Sequence, residues 1–300
     1  MVVVNLHGKR LVIFGCGYVG SALAQVAMAA GARVEALTRN RGKAAALRAA
    51  GLANVVVADL SSADWHGRIR AGSDYVVNCV SSGGPDTYQQ SYVGGMASVI
   101  AWAAQAAVPV GTLVYTSSTA VYSQSGGATV TEADPAEGAT PNGVIIRESE
   151  VLLQQSALSA VRRHFVLRLA GIYGPDRHHL LDQLRSGADP IGGTGEHRLN
   201  LVHRDDIIAA ILACFNAPPV VGSEIFNVAD STPTQRSEVV RWLAERLGRQ
   251  VPSFDGSTTA RRAGAPMPDR VISSAKIQRV LGWRPQYVDY RAGCENILSR

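Results

Sequence analysis

The sequence predicts an α/β fold in which a doubly wound parallel sheet carries a smaller lobe formed by the C-terminal third of the chain. In the first 120 residues, short apolar runs alternate with alanine-rich segments of helical spacing, the pattern of repeated strand–helix–strand units. The apolar runs are continuous rather than alternating, as in strands that are covered on both faces. With 300 residues and 46% hydrophobic content, the chain can bury a large core.

The N-terminal elements follow from these runs. Apolar, β-rich segments predict five strands, at Arg10–Phe14, Arg33–Thr38, Asn54–Ala58, Tyr75–Val80 and Thr112–Ser117. The alanine-rich stretches between them predict helices at Ser21–Ala30, Lys43–Ala50 and about Gln90–Ala107.

Beyond residue 125 the regular alternation of strand and helix patterns ends, and a loop containing Gly and Pro is predicted over 123–143. The helices predicted after it are Val144–Leu158, Arg204–Phe215, Gln235–Leu247 and Ser274–Leu281. The strands predicted after it are Phe165–Ala170 and Glu224–Val228. The final third is therefore expected to pack on the sheet and to close a cleft over the carboxyl ends of its strands.

Composition excludes several classes of function. No run of eighteen apolar residues predicts a membrane span, and the N-terminus lacks the pattern of a secretory signal. Four cysteines are scattered without C-x-x-C spacing, at positions 16, 79, 214 and 294. They indicate reduced thiols in a cytoplasmic protein, with no metal site and no disulfide framework. The net charge of +5 is spread over separate arginines without interleaved aromatics, so no nucleic-acid partner is expected.

A glycine-rich loop carries the strongest functional signal. It follows the first strand, opens a helix and has the spacing G-x-G-x-x-G over residues Gly15, Cys16, Gly17, Tyr18, Val19 and Gly20. The glycines permit a tight turn, close approach to a pyrophosphate and close packing of helix on strand. The free N–H groups and positive dipole end of the helix then face the phosphates. An incidental glycine turn is the alternative, but the context favours a Rossmann-type dinucleotide site.

These features predict two regions. Residues 1–170 are expected to form the NAD(P)-binding Rossmann domain. Residues 171–300 are expected to form a small mixed α/β substrate lobe, partly interleaved with the first.

The end of the second strand bears on the choice between NAD and NADP. An acidic residue there would accept hydrogen bonds from the ribose of NAD, but this chain has Thr38 and Arg39, and Glu35 lies mid-strand. Arg39, with Arg41 and Lys43 nearby, favours the 2′-phosphate of NADP(H). NAD remains possible, and a solvated basic loop is the alternative interpretation of these cations.

The next two strand ends complete the predicted cofactor site. Asp59 and Leu60 would lie beside the adenine, where Asp59 accepts from the exocyclic amine or only caps a turn. The ribose and nicotinamide would be bordered by Asn78, Cys79, Val80 and Ser81. Cys79 is interpreted as a small packing residue rather than a redox centre.

Several further stretches carry a family resemblance. Besides the glycine loop they are Tyr115–Tyr122 (YTSSTAVY), Arg168–Pro175 (RLAGIYGP), Asn200–Asp206 (NLVHRDD), Phe226–Val228 (FNV) and Leu281–Pro285 (LGWRP). In these stretches the chain resembles an extended short-chain dehydrogenase/reductase of the NAD-dependent epimerase/dehydratase type. The resemblance implies a Rossmann fold, and in that family two helices of the Rossmann domain often form a homodimer interface.

The resemblance also implies a catalytic pattern, from which this chain departs. In the family a Ser or Thr after the fifth strand binds the substrate oxygen, and a Tyr-x-x-x-Lys pair on the next helix transfers the proton. Ser118 matches the Ser, whereas Asn142 and Ile146 stand at the Tyr and Lys positions, and the chain contains no Tyr-x-x-x-Lys. This combination is similar to the atypical short-chain dehydrogenase/reductase proteins.

Two functions therefore stay open. The first is an NADP(H)-binding oxidoreductase or epimerase-like protein acting on a small or sugar-like carbonyl or hydroxyl substrate. In it Ser118 and Asn142 orient the substrate oxygen, and water, Tyr173 or a nearby histidine delivers the proton. Tyr173 packing within its turn is the alternative for that residue. The second function is a non-catalytic NADP(H)-binding sensor or scaffold.

Overall fold

The structure, a computed structural model, describes residues 4–156, 159–230, 232–257 and 268–299. The first strands are β1 (Arg10–Phe14), β2 (Arg33–Thr38), β3 (Asn54–Val57), β4 (Tyr75–Asn78), β5 (Val110–Ser118), β6 (Ala128–Val130) and β7 (Val161–Leu169). They are followed by β8 (Gly171–Tyr173), β9 (Arg198–Leu199), β10 (Leu201–His203), β11 (Glu224–Val228), β12 (Thr234–Gln235) and β13 (Arg270–Ile272).

The helices alternate with these strands. They are α1 (Tyr18–Ala29), α2 (Arg41–Ala49), α3 (Gly95–Ala103), α4 (Pro141–Ser156), α5 (His179–Arg185), α6 (Arg204–Phe215), α7 (Arg236–Arg246), α8 (Ala275–Leu281) and α9 (Tyr290–Leu298). Short 3-10 helices span Pro85–Thr87 and Thr119–Val121, and a π-helix at Gln89–Gly94 continues directly as α3.

A seven-stranded parallel sheet forms the centre of the molecule and confirms the predicted fold class. Its strand order is β11-β7-β5-β4-β1-β2-β3. The order reverses between β1 and β4, so the connections after these neighbouring strands leave to opposite sides. A crevice opens at such a point, outside the carboxyl ends of the strands. The topology therefore places the glycine loop, which follows β1, at the natural ligand site of the sheet.

Apolar clusters cover both faces of the sheet and fill the C-terminal lobe. On one face Phe14, Trp65 and Trp102 are fully buried, with ring centroids 4.8 to 5.7 Å apart. The other face is covered mainly by α1 and α6, whose apolar residues belong to one continuous cluster with those of the sheet. The close packing of these rings and aliphatic side chains on both faces keeps the sheet rigid beneath the crevice.

The chain after residue 170 contributes both to the central sheet with its covering helices and to the C-terminal lobe. Strand β11 and helix α6 join the central sheet and its cover, whereas α5, α7 and α9 share a separate apolar cluster. Three two-stranded sheets pair β8 with β10, β9 with β12 and β6 with β13, and the last of these joins a strand before residue 170 to one after it. The division at residue 170 stays a prediction.

Helix α4 begins three residues before its predicted start at Val144. Pro141 is its first residue, which suits proline because the first N–H groups of a helix have no intrahelical acceptor. Leu158, the predicted end, lies outside the described residues. Asn142 is therefore part of the first helical turn rather than of the preceding loop.

Two further differences have a local cause. Strand β4 ends at Asn78, two residues early, because the Asn78 side chain accepts a hydrogen bond from the Val80 N–H at 3.1 Å and turns the chain. The predicted loop at 123–143 contains β6, and the short strands β8 to β10 were not predicted. Strands of two or three residues are too short to show a periodic pattern.

Candidate functional site

A cleft of about 690 Å³ lies at the carboxyl ends of the central strands. Most of the predicted site residues line it, namely Gly15, Gly17, Tyr18, Val19, Thr38, Arg39, Asp59, Leu60, Cys79, Val80, Ser81, Ser118 and Asn142. Among the other predicted residues, Cys16, Gly20 and Asn78 are buried behind this lining, and Tyr173 lies in the C-terminal lobe. The volume is in the range of small-molecule and cofactor pockets.

The three glycines of the loop meet different steric demands. Gly15 has φ +82°, and a Cβ there would lie 2.6 Å from the Val80 backbone nitrogen. A Cβ on Gly20 would lie 2.6 Å from the Gly15 carbonyl oxygen. A Cβ on Gly17 would have no neighbour closer than 3.9 Å, and Gly17 lines the cleft. Gly15 and Gly20 therefore serve internal packing, and Gly17 leaves room for a ligand.

The first turn of α1 supplies hydrogen-bond donors to the cleft. The N-cap residue Gly17 has no side chain that could accept a hydrogen bond from the N–H groups of the first turn. Tyr18 and Val19, the first two residues of that turn, both line the cleft. A helix N-terminus with free donors and a positive dipole end suits an anionic group such as a pyrophosphate. The residues present thus fit a dinucleotide.

Arg39 and Asp59 face each other at one end of the cleft. An Arg39 guanidinium nitrogen lies 3.6 Å from Asp59 Oδ2, with both side chains partly exposed. Partial burial alone would raise the pKa of Asp59, but hydrogen bonds from Ser61 and the charge of Arg39 hold it below the usual value. Asp59 is therefore ionised at neutral pH and orients the guanidinium. Lys43 lines the same end and adds a second positive charge.

Ser118 and Asn142 both line the cleft, at the end that the sequence predicts to be the reaction end, and the packing of α4 explains their position. A Cβ on Gly143 would overlap the Ala120 carbonyl oxygen, so only glycine lets the first turn of α4 approach the segment after Ser118. Ser118 Oγ accepts a hydrogen bond from the Ala120 N–H at 3.1 Å. Ile146, one turn after Asn142, also lines the cleft. Asn142 and Ile146, the residues predicted to stand at the family's Tyr and Lys positions, thus both line the cleft.

A buried polar network lies beneath this end, and the sequence did not reveal it. The Glu150 carboxylate pairs with the Arg168 guanidinium at 2.7 Å and accepts a hydrogen bond from Ser117, which lines the cleft. Arg168 also donates to the Tyr122 hydroxyl at 2.8 Å, which donates to Asn227 Oδ1 at 2.8 Å. Burial alone would lower the pKa of Arg168, but Glu150 and Tyr122 hold it above its usual value.

Tyr173 does not line the cleft. Its side chain is 3% exposed and packs in the lobe, where its hydroxyl donates to the Asp289 carbonyl oxygen at 3.4 Å. Only glycine fits at position 293, because a Cβ there would overlap this hydroxyl. Burial raises the pKa of Tyr173 far above its usual value. This placement gives no support to the hypothesis that Tyr173 delivers a proton to a substrate in the cleft.

The neighbouring His178 is also a packing residue. Its Nδ1 accepts a hydrogen bond from the Leu181 N–H at 3.1 Å, and its Nε2 lies 3.3 Å from Cys294 Sγ. Burial lowers the pKa of His178 to about 4, so the ring is neutral at pH 7. It caps α5 rather than serving the cleft.

Other cleft residues were not assigned from the sequence. Tyr88 and Tyr92 flank the cleft with ring centroids 5.2 Å apart, on the segment that turns π-helical before α3. Arg177 reaches it from the lobe, two residues after Pro175 in the Arg168–Pro175 stretch. The sequence offers no periodic signal for either group, because both depend on how distant segments meet.

Two kinds of site are absent from the described ranges. In residues 4–156, 159–230, 232–257 and 268–299, no three His, Cys, Asp or Glu side chains converge as a metal site would require. Within those same ranges, no helix has the length and apolar character needed to cross a bilayer.

A family model and a known protein match this sequence. The model of the NAD dependent epimerase/dehydratase family matches residues 11–229. Protein YeeZ from Escherichia coli (strain K12) is 33% identical over 177 residues, so the match spans 59% of this chain and 59% of that protein's length.

Two solved structures share the fold over almost the whole chain. A functionally unknown conserved protein from Silicibacter pomeroyi DSS has 25% identity and a TM-score of 0.76, covering 97% of this chain and 98% of its own. DesIV, a dTDP-glucose 4,6-dehydratase from Streptomyces venezuelae with NAD and TYD bound, has 23% identity and a TM-score of 0.80, covering 97% and 96%.

Proposed function

Since the chain belongs to the NAD dependent epimerase/dehydratase family, we propose that it binds NADP(H) in the cleft and acts as an oxidoreductase or epimerase-like protein. The proposed substrate is a small or sugar-like molecule with a carbonyl or hydroxyl group, handled without the Tyr-Lys pair. The main support is that one cleft is lined by the glycine loop, by Arg39 and Lys43 at one end, and by Ser118 and Asn142 at the other.

The residues at the reaction end have separate tasks. A bound nicotinamide supplies the chemistry of hydride transfer. Ser118 Oγ already accepts from the Ala120 N–H, so its O–H remains available to donate to a substrate oxygen. Asn142 offers a second, neutral hydrogen bond to that oxygen. Neither side chain titrates near pH 7, so we assign proton delivery to water in the cleft rather than to Tyr173.

The preference for NADP(H) rests on charge. Arg39 and Lys43 present two cations where β2 ends, and residues 38–40, which end and follow this strand, include no carboxylate. Asp59, which pairs with Arg39, holds the guanidinium in place for a 2′-phosphate. NAD, the cofactor bound in the S. venezuelae dehydratase, is the alternative.

The first prediction concerns this preference. The purified protein should bind NADPH about tenfold or more tighter than NADH, since a charge-assisted hydrogen bond contributes about 1.5–3 kcal/mol. Arg39→Gln should remove most of that difference and leave NADH affinity unchanged. Fluorescence titration measures both. Arg41→Gln is the matched control, because Arg41, unlike Arg39 and Lys43, does not line the cleft and is exposed, although the sequence suggested a place for it near the 2′-phosphate. Tighter binding of NADH by the native protein would contradict the assignment of Arg39.

The sensor or scaffold function is the second candidate, favoured by the residues at the Tyr and Lys positions. Asn142 and Ile146 both face the cleft, and neither can transfer a proton in the family's manner. Such a protein would retain cofactor binding without turnover.

A second prediction separates the two candidates. If the native protein is an enzyme, Ser118→Ala should lower kcat/KM by about 100-fold, the order expected for loss of one donor to a reacting oxygen. NADPH affinity should stay unchanged. The measurement is NADPH consumption across a panel of small and sugar-like carbonyl compounds. Turnover that appears only in the double variant Asn142→Tyr with Ile146→Lys would instead support the sensor.

We also propose a cytoplasmic location and a small-molecule partner. The free state of Cys16, Cys79, Cys214 and Cys294 supports a reducing compartment. A homodimer through helices of the Rossmann domain stays a prediction.

A further inference from the structure

We propose that Arg177, contributed by the C-terminal lobe, is a further cofactor-binding residue that contacts the pyrophosphate of the dinucleotide. The inference rests on the proposed cofactor function and deepens it. It gives the lobe a role in cofactor binding, whereas the glycine loop and Arg39 lie outside the lobe.

A tight turn presents Arg177 to the cleft. The Gly174 and Arg177 backbones exchange two hydrogen bonds of 3.1 Å, and Asp176 between them has φ +60°. Positive φ is uncommon outside glycine, and Asp is among the residues that tolerate it. The backbone thus fixes the direction in which residue 177 leaves the turn.

Tyr18 anchors this turn to the glycine loop. The Tyr18 hydroxyl donates to the Pro175 carbonyl oxygen at 2.8 Å. A Cβ on Gly174 would lie 2.7 Å from that hydroxyl oxygen, so the close approach requires glycine there. Tyr18 is also the first residue of α1, so the turn is docked directly on the helix end that faces the cleft.

Two guanidinium groups lie over the Tyr18 ring, and they differ in whether a carboxylate pairs with them. The Arg204 guanidinium carbon lies 5.2 Å from the ring centroid, and its nitrogens lie 3.0 Å from the Asp205 carboxylate. The Arg177 guanidinium carbon lies 5.3 Å from the same centroid. Within the described ranges Arg177 has no carboxylate partner, and it lines the cleft. Arg177 therefore holds a positive charge available to an anion.

The pyrophosphate is the anion that this position fits. The N–H groups at the start of α1 would face the pyrophosphate of a bound dinucleotide, and the Arg177 guanidinium stacks on the side chain of that helix's first residue. Arg39 and Lys43, at the end of β2, would meet the 2′-phosphate instead. A guanidinium offers paired donors that match phosphate oxygens, and its stacking on a ring pre-organises it.

Three ligands test the assignment. NADPH carries both the pyrophosphate and the 2′-phosphate, NADH carries only the pyrophosphate, and 2′-AMP carries only the 2′-phosphate. Arg177→Gln should weaken NADPH and NADH by about the same factor, roughly tenfold for one partly solvated charged contact, and leave 2′-AMP unchanged. Arg177→Lys should recover part of the loss, because it restores the charge without the paired donors.

The controls separate this contact from folding and from the cofactor assignment. Arg177 is exposed, so its variants should keep the native melting temperature. Arg185→Gln removes an exposed charge of α5 that does not line the cleft, and should change none of the three affinities. Unchanged NADPH and NADH affinities in Arg177→Gln would overturn the inference alone. Failure of the native protein to bind any dinucleotide would overturn the proposed function with it.

Discussion

Replacing Glu150 with alanine should lower the free energy of unfolding by about 3–5 kcal/mol, the cost of leaving one member of a buried ion pair without its partner. The Glu150 carboxylate is fully buried, and the Arg168 side chain is 2% exposed. The variant would leave the Arg168 charge buried without the carboxylate that pairs with it, although its hydrogen bond to the Tyr122 hydroxyl would remain. Urea unfolding followed by circular dichroism measures the change in the midpoint and slope.

A surface pair provides the matched control. Arg246 and Glu295 lie 2.8 Å apart, nearly the same distance as the buried pair, but both are about half exposed. Glu295→Ala should therefore cost less than about 1 kcal/mol. The double replacement Glu150→Leu with Arg168→Met should recover much of the loss, because it removes both fully buried charges. It leaves Arg147, which lies 3.2 Å from Glu150 and is 29% exposed, without this carboxylate. Equal costs for Glu150→Ala and Glu295→Ala would show that burial does not govern this network.

Gly15→Ala should disrupt both folding and cofactor binding. The native φ of +82° costs an alanine about 1–2 kcal/mol. The added Cβ would also lie 2.6 Å from the Val80 nitrogen, so the loop must shift away from β4. Displacing the first turn of α1 by this shift should weaken NADPH by at least about 100-fold, equivalent to one or two charged hydrogen bonds.

Gly17→Ala separates the two effects. Its Cβ would meet no protein atom closer than 3.9 Å but would stand in the cleft. This variant should therefore melt within a few degrees of the native protein while losing NADPH affinity to a similar extent. Thermal melting and fluorescence titration of both variants give the comparison. Native NADPH affinity in Gly17→Ala would mean that the pyrophosphate does not pass over the glycine loop.

The central sheet could be predicted because its signals are local. Strands β1, β2 and β11 and helix α6 have the bounds that their apolar runs indicate. Continuous apolar runs report burial on both faces, and such burial is a property of neighbouring residues in the chain. The short strands of the lobe carry no such pattern, since their two or three residues are held by partners distant in sequence.

The candidate site divides in the same way. The glycine loop and Arg39 follow strand ends, so the topology of parallel strands brings them to one edge. Tyr173 is the last residue of the short strand β8, yet its side chain packs into the lobe against Asp289 and Gly293, more than a hundred residues later. No local pattern specifies that contact.

The sequence alone determined the fold class, the family resemblance and the absence of a Tyr-x-x-x-Lys motif. Each of these depends only on which residue types lie close together in the chain. Only the tertiary structure decided that Glu150 and Arg168 pair beneath Ser117, that Tyr173 is buried in the lobe, and that Arg177 stacks on Tyr18. Those contacts join residues far apart in the chain. Side-chain direction and burial, which fix them, exist only once the sheet and the lobe have packed together.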